Sequence, residues 1–266
     1  MKIAITGKGG VGKTTLSSLL AHLYAQQGRP VLAIDADPAG NLATALGFPS
    51  ELAESITPIA EMNDLIYERT GAQPGQIGGW FRLNPRVDDI PERFSAEYRG
   101  VRLLQLGTVK GGGSGCMCPE SALLRALVTH LLIGRREVVI LDMEAGVEHL
   151  GRGTASAVDA FLIVVEPGKR SLDTARTIRD LAREIHVPRL YLVGNKVRSE
   201  SDRQFIEAHS PDLPVLGFLS QYTEAIEADL RGQAAFDLAP ALVEEARDIL
   251  ARLEHSVGLT EAAGGS

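Results

Sequence analysis

The segment Gly7-Lys8-Gly9-Gly10-Val11-Gly12-Lys13-Thr14-Thr15 follows a strand-like run at residues 2–6 and opens a helical pattern over 14–27. A G-x-x-x-x-G-K-[ST] sequence in that setting is a phosphate-binding loop, and it makes the first unit of the fold strand, loop and helix. Glycines let consecutive backbone N–H groups point inward without Cβ interference, and the helix N-terminus adds its positive dipole end. The loop residues Gly9, Gly10, Val11, Gly12, Lys13, Thr14 and Thr15 are therefore candidates to hold a polyphosphate. Lys13 reaches its β- and γ-phosphates, and the Thr14 hydroxyl sits on Mg²⁺. A glycine-rich turn without a ligand is the alternative, and it leaves the ordered set of positions unexplained.

Further along, short Val/Ile/Leu runs at 31–34, 103–106, 138–141, 161–165, 190–193 and 215–218 alternate with longer helical patterns. Strands apolar on both faces, set between helices, indicate an α/β fold with a mostly parallel central sheet and helices on both sides. The expectation is a single P-loop NTPase domain over 1–257 and a flexible tail over 258–266. Residues 57–69 read as a helix, and 71–99, rich in Gly, Pro and charge, as an irregular excursion. A last helix over 238–255 carries Glu244, Glu245, Arg247, Asp248, Arg252 and Glu254, a mixture unlike the basic face of a membrane-targeting helix.

The 266 residues are 44% hydrophobic, enough for one large core. A net charge of −7 and a pI near 5.4 argue against general affinity for nucleic acid or anionic lipid. No apolar run approaches a membrane span, and the N-terminus enters strand and loop without a leader. A cytoplasmic chain without nucleic-acid or membrane partners is expected.

Lys13 already supplies the loop's cation, so Lys8 needs its own account. The K-G-G-x-G-K form resembles the deviant Walker A loop of the superfamily of MinD, partition ATPases and nitrogenase iron protein. The resemblance implies that Lys8 crosses a two-fold axis to the nucleotide of the other subunit, as an arginine finger does in trans. Hydrolysis would then require a face-to-face homodimer. A solvated lysine without that role is the other reading.

Ligands of parallel sheets bind beyond the carboxyl ends of the strands, which singles out Asp35, Asp37, Asp142 and Glu144. Asp142 closes the run at 138–141 and fits the Walker B position, holding Mg²⁺ directly or through water. Asp37 matches the switch I aspartate of the resembled superfamily, which positions the attacking water. Asp35 is either metal support or a helix N-cap. Residues 143–151 occupy the switch II position, where Gly146 and Gly151 suit a loop that refolds with the γ-phosphate.

After the run at 190–193, Gly194-Asn195-Lys196-Val197-Arg198 lacks the carboxylate with which N-K-x-D proteins read guanine, and Arg198 has no acceptor to offer. Adenine is the expected base and ATP the expected nucleotide. Asn195 and Lys196 would lie at it, with the backbone near Phe218, Leu219 and Ser220 completing the pocket. An asparagine at a strand end is also an ordinary turn residue.

The chain's two cysteines share one loop, Lys110-Gly111-Gly112-Gly113-Ser114-Gly115-Cys116-Met117-Cys118-Pro119-Glu120. In an extended C-x-C both side chains project to one side, so one soft metal can take both sulfurs. Pro119 suits the first turn of a helix over 119–132, which puts Cys118 at the N-cap, where the dipole favours thiolate. One subunit supplies only two soft ligands, whereas a closed site wants four. A two-fold dimer doubles them into a four-thiolate site for Ni²⁺, Zn²⁺ or Cu⁺. Incidental buried cysteines and a redox pair are the competing readings.

The loop at 7–13, the C-x-C at 113–118 and Asp142-Met143-Glu144-Ala145-Gly146-Val147-Glu148-His149-Leu150-Gly151-Arg152-Gly153-Thr154 together resemble the nickel-insertion accessory ATPases of carbon monoxide dehydrogenase. The likeness runs through Glu166-Pro167 and residues 195–198 to the last helix. It implies ATP-driven dimerisation that assembles a metal site from Cys116 and Cys118, with carbon monoxide dehydrogenase as the client whose Ni–Fe–S cluster is matured. Acetyl-CoA synthase is the related client. An electron-transferring ATPase like the nitrogenase iron protein is a rival, but that family places a cysteine in switch II, where this chain has none. A partition or cell-positioning ATPase leaves the C-x-C without a role.

Overall fold

The computed structural model describes residues 1–75, 80–109, 118–147, 150–210 and 212–263. Within them lie strands β1 (Lys2–Gly7), β2 (Val31–Ala36), β3 (Ala96–Tyr98), β4 (Val101–Gln105), β5 (Val138–Met143), β6 (Ala160–Val165), β7 (Leu190–Val197) and β8 (Val215–Ser220). They form one sheet in the order β3-β4-β2-β5-β1-β6-β7-β8. The β3–β4 pair is antiparallel and every other pair is parallel.

Every residue of β1, β2, β5 and β6 is buried, because each has a strand on either side and helices over both faces. Alternation divides their side chains between two cores. Ile3 and Ile5 join the helices Lys13–Gln26 and Pro240–Ala263 through Leu16, Leu20, Leu242 and Ile249. Ala4 turns to the other face, where Leu127, Leu131, Leu172 and Ile178 come from the helices Pro119–Gly134 and Lys169–Glu184. Each fully buried Leu or Ile contributes roughly 1.5–3 kcal/mol, so the two layers fix the sheet from both sides.

The excursion at 71–99 is more regular than its composition suggests. It contains a short helix, Ile90–Phe94, and the edge strand β3. Arg99 and Gly100 join β3 to β4 with φ of 50° and 77°, the two positive values of a tight hairpin turn. A three-residue strand reading Ala-Glu-Tyr carries no periodic signal, and pairing with β4 creates it. The helix read at 57–69 is broken. A 3₁₀ turn, Ile59–Glu61, precedes the helix Asn63–Thr70, and Met62 stands between them at ψ 75°. The Ala60 N–H donates to the Leu106 carbonyl at 2.9 Å, so a tertiary bond at the end of β4 takes this turn out of helical register. The last helix begins at Pro240 and runs to Ala263.

None of the described helices is long and apolar enough to cross a membrane. From β1 the chain crosses to β2 on one side of the sheet, and later reaches β6 on the other. The topological switch point is therefore at the carboxyl end of β1, where such sheets bind ligands.

Candidate functional site

The phosphate loop leaves β1 at Gly7 and turns into the helix Lys13–Gln26 at Gly12, whose φ of 93° lies in the left-handed region. A Cβ on Gly12 would lie 2.0 Å from Asn195 Nδ2. Glycine is thus required there twice over, by backbone conformation and by space. Asn195, only 6% exposed, donates from Nδ2 to the Val11 carbonyl at 2.8 Å and accepts from the Lys196 N–H at 2.8 Å. Lys196 donates from Nζ to the Gly10 carbonyl at 2.6 Å. Asn195 and Lys196 therefore reach the loop, and what they touch is its backbone. They tie down two of the loop's carbonyls, and the Val11 N–H donates to the Lys8 carbonyl at 3.3 Å.

Lys13 is 6% exposed and its Nζ lies 3.5 Å from Asp37 Oδ2. Asp37 Oδ1 accepts from the Ala39 N–H at 2.9 Å, closing an Asx turn at the end of β2. Asp35 accepts from the Asp37 and Leu42 N–H groups at 3.3 and 3.0 Å. The bond from Leu42, the first residue of the helix Leu42–Ala45, makes Asp35 a support for the turn that carries Asp37. Burial pushes the Asp35 carboxyl up to about 6, against the pull of those two N–H groups.

Asp142 lies in register beside both Asp35 and Ile5. It is fully buried, and both carboxylate oxygens lack a hydrogen-bond partner. Burial pushes its carboxyl up to about 7, with the charge of Asp35 adding to the shift and Thr14, Lys13 and Ser17 opposing it. An orphaned buried carboxylate beside Thr14, at the end of a phosphate loop, is the donor set a hard divalent cation fits.

Lys8 stands at the mouth, 40% exposed, with Nζ 3.9 Å from Glu166 Oε1; Lys196 Nζ is 4.0 Å from Oε2 of the same residue. Glu166 follows directly on β6, so the strand-end rule that found Asp142 had the means to find it too. Thr6 was also missed. Its hydroxyl donates to the Glu144 carbonyl at 2.6 Å and accepts the Gly146 N–H at 3.1 Å, tying β1 to the segment after β5. Nothing in the local sequence marks that tie. Glu148 and His149 lie outside the described residues.

At the ends of β7 and β8 a cavity of about 530 Å³ is lined by Val197, Arg198, Ser199, Ser220, Gln221 and neighbours. Glu245, from the last helix, accepts from the Ser220 N–H and hydroxyl at 2.7 and 2.6 Å and holds that wall.

Cys118 is the N-cap of the helix Pro119–Gly134, with Pro119 in its first turn. Its thiol donates to the Ser121 hydroxyl at 3.1 Å. Burial and the nearby Glu120 carboxylate push the thiol up, outweighing the bonds to Ser121, a direction opposite to the one expected from the helix dipole alone. Cys116 lies outside the described residues. Among the described residues no group of three or more His, Cys, Asp or Glu side chains could hold a metal ion.

Residues 2–236 match the family model described as the CobQ/CobB/MinD/ParA nucleotide binding domain. The chain is similar to the carbon monoxide dehydrogenase accessory protein CooC of Rhodospirillum rubrum, with 47% identity over 261 residues, 98% of this chain and 99% of that protein. It is also similar to an uncharacterized ATP-binding protein of Methanocaldococcus jannaschii, 45% identical over 236 residues, 88% of this chain and 90% of the other. Among solved structures, a ParA family ATPase from Chlorobium tepidum superposes with a TM-score of 0.66 at 18% identity, covering 96% of this chain and 98% of that one. The septum site-determining protein MinD of Pyrococcus horikoshii, complexed with Mg-ADP, gives 0.64 at 19% identity, covering 97% and 96%. At such identities the superpositions show the fold alone.

Proposed function

The chain belongs to the CobQ/CobB/MinD/ParA nucleotide-binding family, and we propose that it is an ATP-hydrolysing accessory factor of carbon monoxide dehydrogenase that carries nickel on its C-x-C cysteines at a nucleotide-controlled dimer interface. The observation that carries this reading is the 47% identity, over nearly the whole of both chains, to an accessory protein of that enzyme.

The backbone of 9–15 binds the phosphates, and Lys13 turns to them. In the free protein Lys13 is neutralised by Asp37 at 3.5 Å. A γ-phosphate competes for the same ammonium group, which frees the Asp37 carboxylate to orient a water. A magnesium ion on Asp142 and the Thr14 hydroxyl would neutralise charge developing on the phosphates. Asn195 and Lys196 tie down two of the loop's carbonyls. Lys8, held only loosely at 3.9 Å by Glu166, is free to reach the nucleotide of a second copy. The facing copy completes the ATPase site and adds the second Cys116/Cys118 pair. Hydrolysis removes the contacts that favour the closed dimer, ligand count falls, and the nickel is released toward the client.

Gel filtration with a non-hydrolysable ATP analogue, with and without Ni²⁺ or Zn²⁺, tests this. The native chain should dimerise with the analogue. Lys8→Ala should remain monomeric, and Cys116→Ala/Cys118→Ala should dimerise without taking up metal. By linkage, metal promotes dimerisation with the same coupling free energy with which nucleotide promotes metal binding. Equal metal affinity with and without the analogue would sink the coupling.

A further inference from the structure

Glu245 gathers three donors from the end of β8 onto one carboxylate. Oε2 accepts from the Ser220 N–H at 2.7 Å, and Oε1 accepts from the Ser220 hydroxyl at 2.6 Å and the Tyr222 hydroxyl at 3.2 Å. These bonds join the last helix to one wall of the cavity of about 530 Å³ that Ser220 and Gln221 line with Val197 and Arg198. The cavity adjoins the phosphate loop, because Lys196, next to Val197, bonds the Gly10 carbonyl at 2.6 Å. Donors around it are spent inside the protein. The Ser220 N–H goes to Glu245, the Gln221 N–H to the Val197 carbonyl at 2.9 Å, and the Arg198 N–H to Asp202 Oδ2 at 2.9 Å. The two arginines of the lining are engaged as well, Arg198 with Asp202 at 3.5 Å and Arg203 over the Phe218 ring at 5.6 Å. A hydroxyl has one proton. With that proton committed to Glu245, the Ser220 oxygen can only accept from a ligand.

We propose that Glu245 sets the base preference of the site by fixing the Ser220 hydroxyl as an acceptor, which takes a hydrogen bond from the 6-amino group of adenine and repels a 6-oxo group; this rests on the reading of the chain as an ATPase whose base lies in that cavity. Glu245 does not touch the base. It acts through Ser220 and is a positioning residue. Only an acid does this, as the isosteric amide shows. The Ser220 N–H points in a fixed direction and would claim the amide oxygen of a glutamine, which leaves the amide NH₂ facing the hydroxyl. The hydroxyl rotates, accepts from that NH₂ and turns its own proton to the ligand. The wall then offers a donor where it had an acceptor, and a 6-oxo base becomes the better match.

Calorimetric titration of the full chain with ADP and with inosine diphosphate tests this. The two differ at the 6-position and its neighbouring ring nitrogen, and neither carries a γ-phosphate to be hydrolysed or to drive dimerisation. The native chain should bind ADP more tightly. Glu245→Gln should reduce that preference by about tenfold, the scale of one neutral hydrogen bond. A merely structural role would weaken both nucleotides alike and leave their ratio where it was. An unchanged ratio therefore overturns the proposal and leaves the adenine reading standing. Equal binding of the two by the native chain overturns the adenine reading, and the proposal with it. Ser220→Ala removes the hydroxyl and keeps the N–H bond to Glu245, so it too should lower the preference. An unchanged ratio in that variant overturns the proposal, and decides the matter if Glu245→Gln fails to fold.

Discussion

Replacing Asp142 by asparagine should make the nucleotide-free protein relatively more stable as pH rises, because this carboxylate is buried in the core, where desolvation outweighs the nearby Lys13 charge. It is fully buried, both oxygens lack partners, and its carboxyl is pushed up to about 7 from an ordinary 3.8. The folded protein thus keeps a proton that the unfolded chain has lost, and stability falls with rising pH between those two values. At pH 5 the group is two units below its folded pKa, which at about 1.4 kcal/mol per unit stabilises the native chain by about 2–3 kcal/mol relative to pH 8. Asparagine does not titrate, so its cost or gain is a constant offset. The difference in unfolding free energy, variant minus native, should therefore climb by about 2–3 kcal/mol from pH 5 to pH 8. Urea unfolding at both pH values measures it, and taking the difference cancels carboxylates common to both proteins. Mg²⁺ with an ATP analogue should stabilise the native chain at pH 8 and leave the variant nearly unmoved. A difference that stays flat across this range, or falls, would refute the reasoning.

Gly12→Ala places a Cβ 2.0 Å from Asn195 Nδ2 at a φ of 93°, so calorimetric titration should find ATP-analogue affinity reduced by about a hundredfold or more, the order set by a few kcal/mol of strain and clash. Near-native binding would mean that the loop relaxes freely. Asn195→Ala removes the donor to the buried Val11 carbonyl and should cost about 1–3 kcal/mol, read as a lowered urea midpoint; an unchanged midpoint would show that the tie contributes nothing. Lys8→Ala breaks only a loose pair with Glu166 at 3.9 Å, an exposed contact that contributes roughly 1 kcal/mol or less. Its melting temperature and analogue affinity should stay near native while sedimentation shows no dimer, and a variant that still dimerises would remove Lys8 from the interface.

The parallel strands and the phosphate loop were legible because their signals are local. Residues 31–34, 138–141 and 161–165 are apolar on both faces, the pattern of strands in a doubly covered sheet, and the loop's glycines precede a lysine at fixed spacing. Asp142 could be read from its place at the end of such a run, and Cys118 from the proline that follows it. What escaped depends on contacts distant in sequence. The strand β3 exists because β4 offers it an edge, and the helix read at 57–69 is interrupted by a bond to Leu106.

Sequence alone determined the class of fold, the anion-binding loop, the acids at the strand ends and the paired cysteines, since each follows from residue type and short spacing. Tertiary structure decided how those groups are charged and what they touch. It left Asp142 without a partner and set Asp37 against Lys13. It also spent Asn195 on the loop's backbone and turned the donors of Ser220 to Glu245. Burial and distance govern desolvation and Coulomb energy, and both arise only when segments far apart along the chain are packed together.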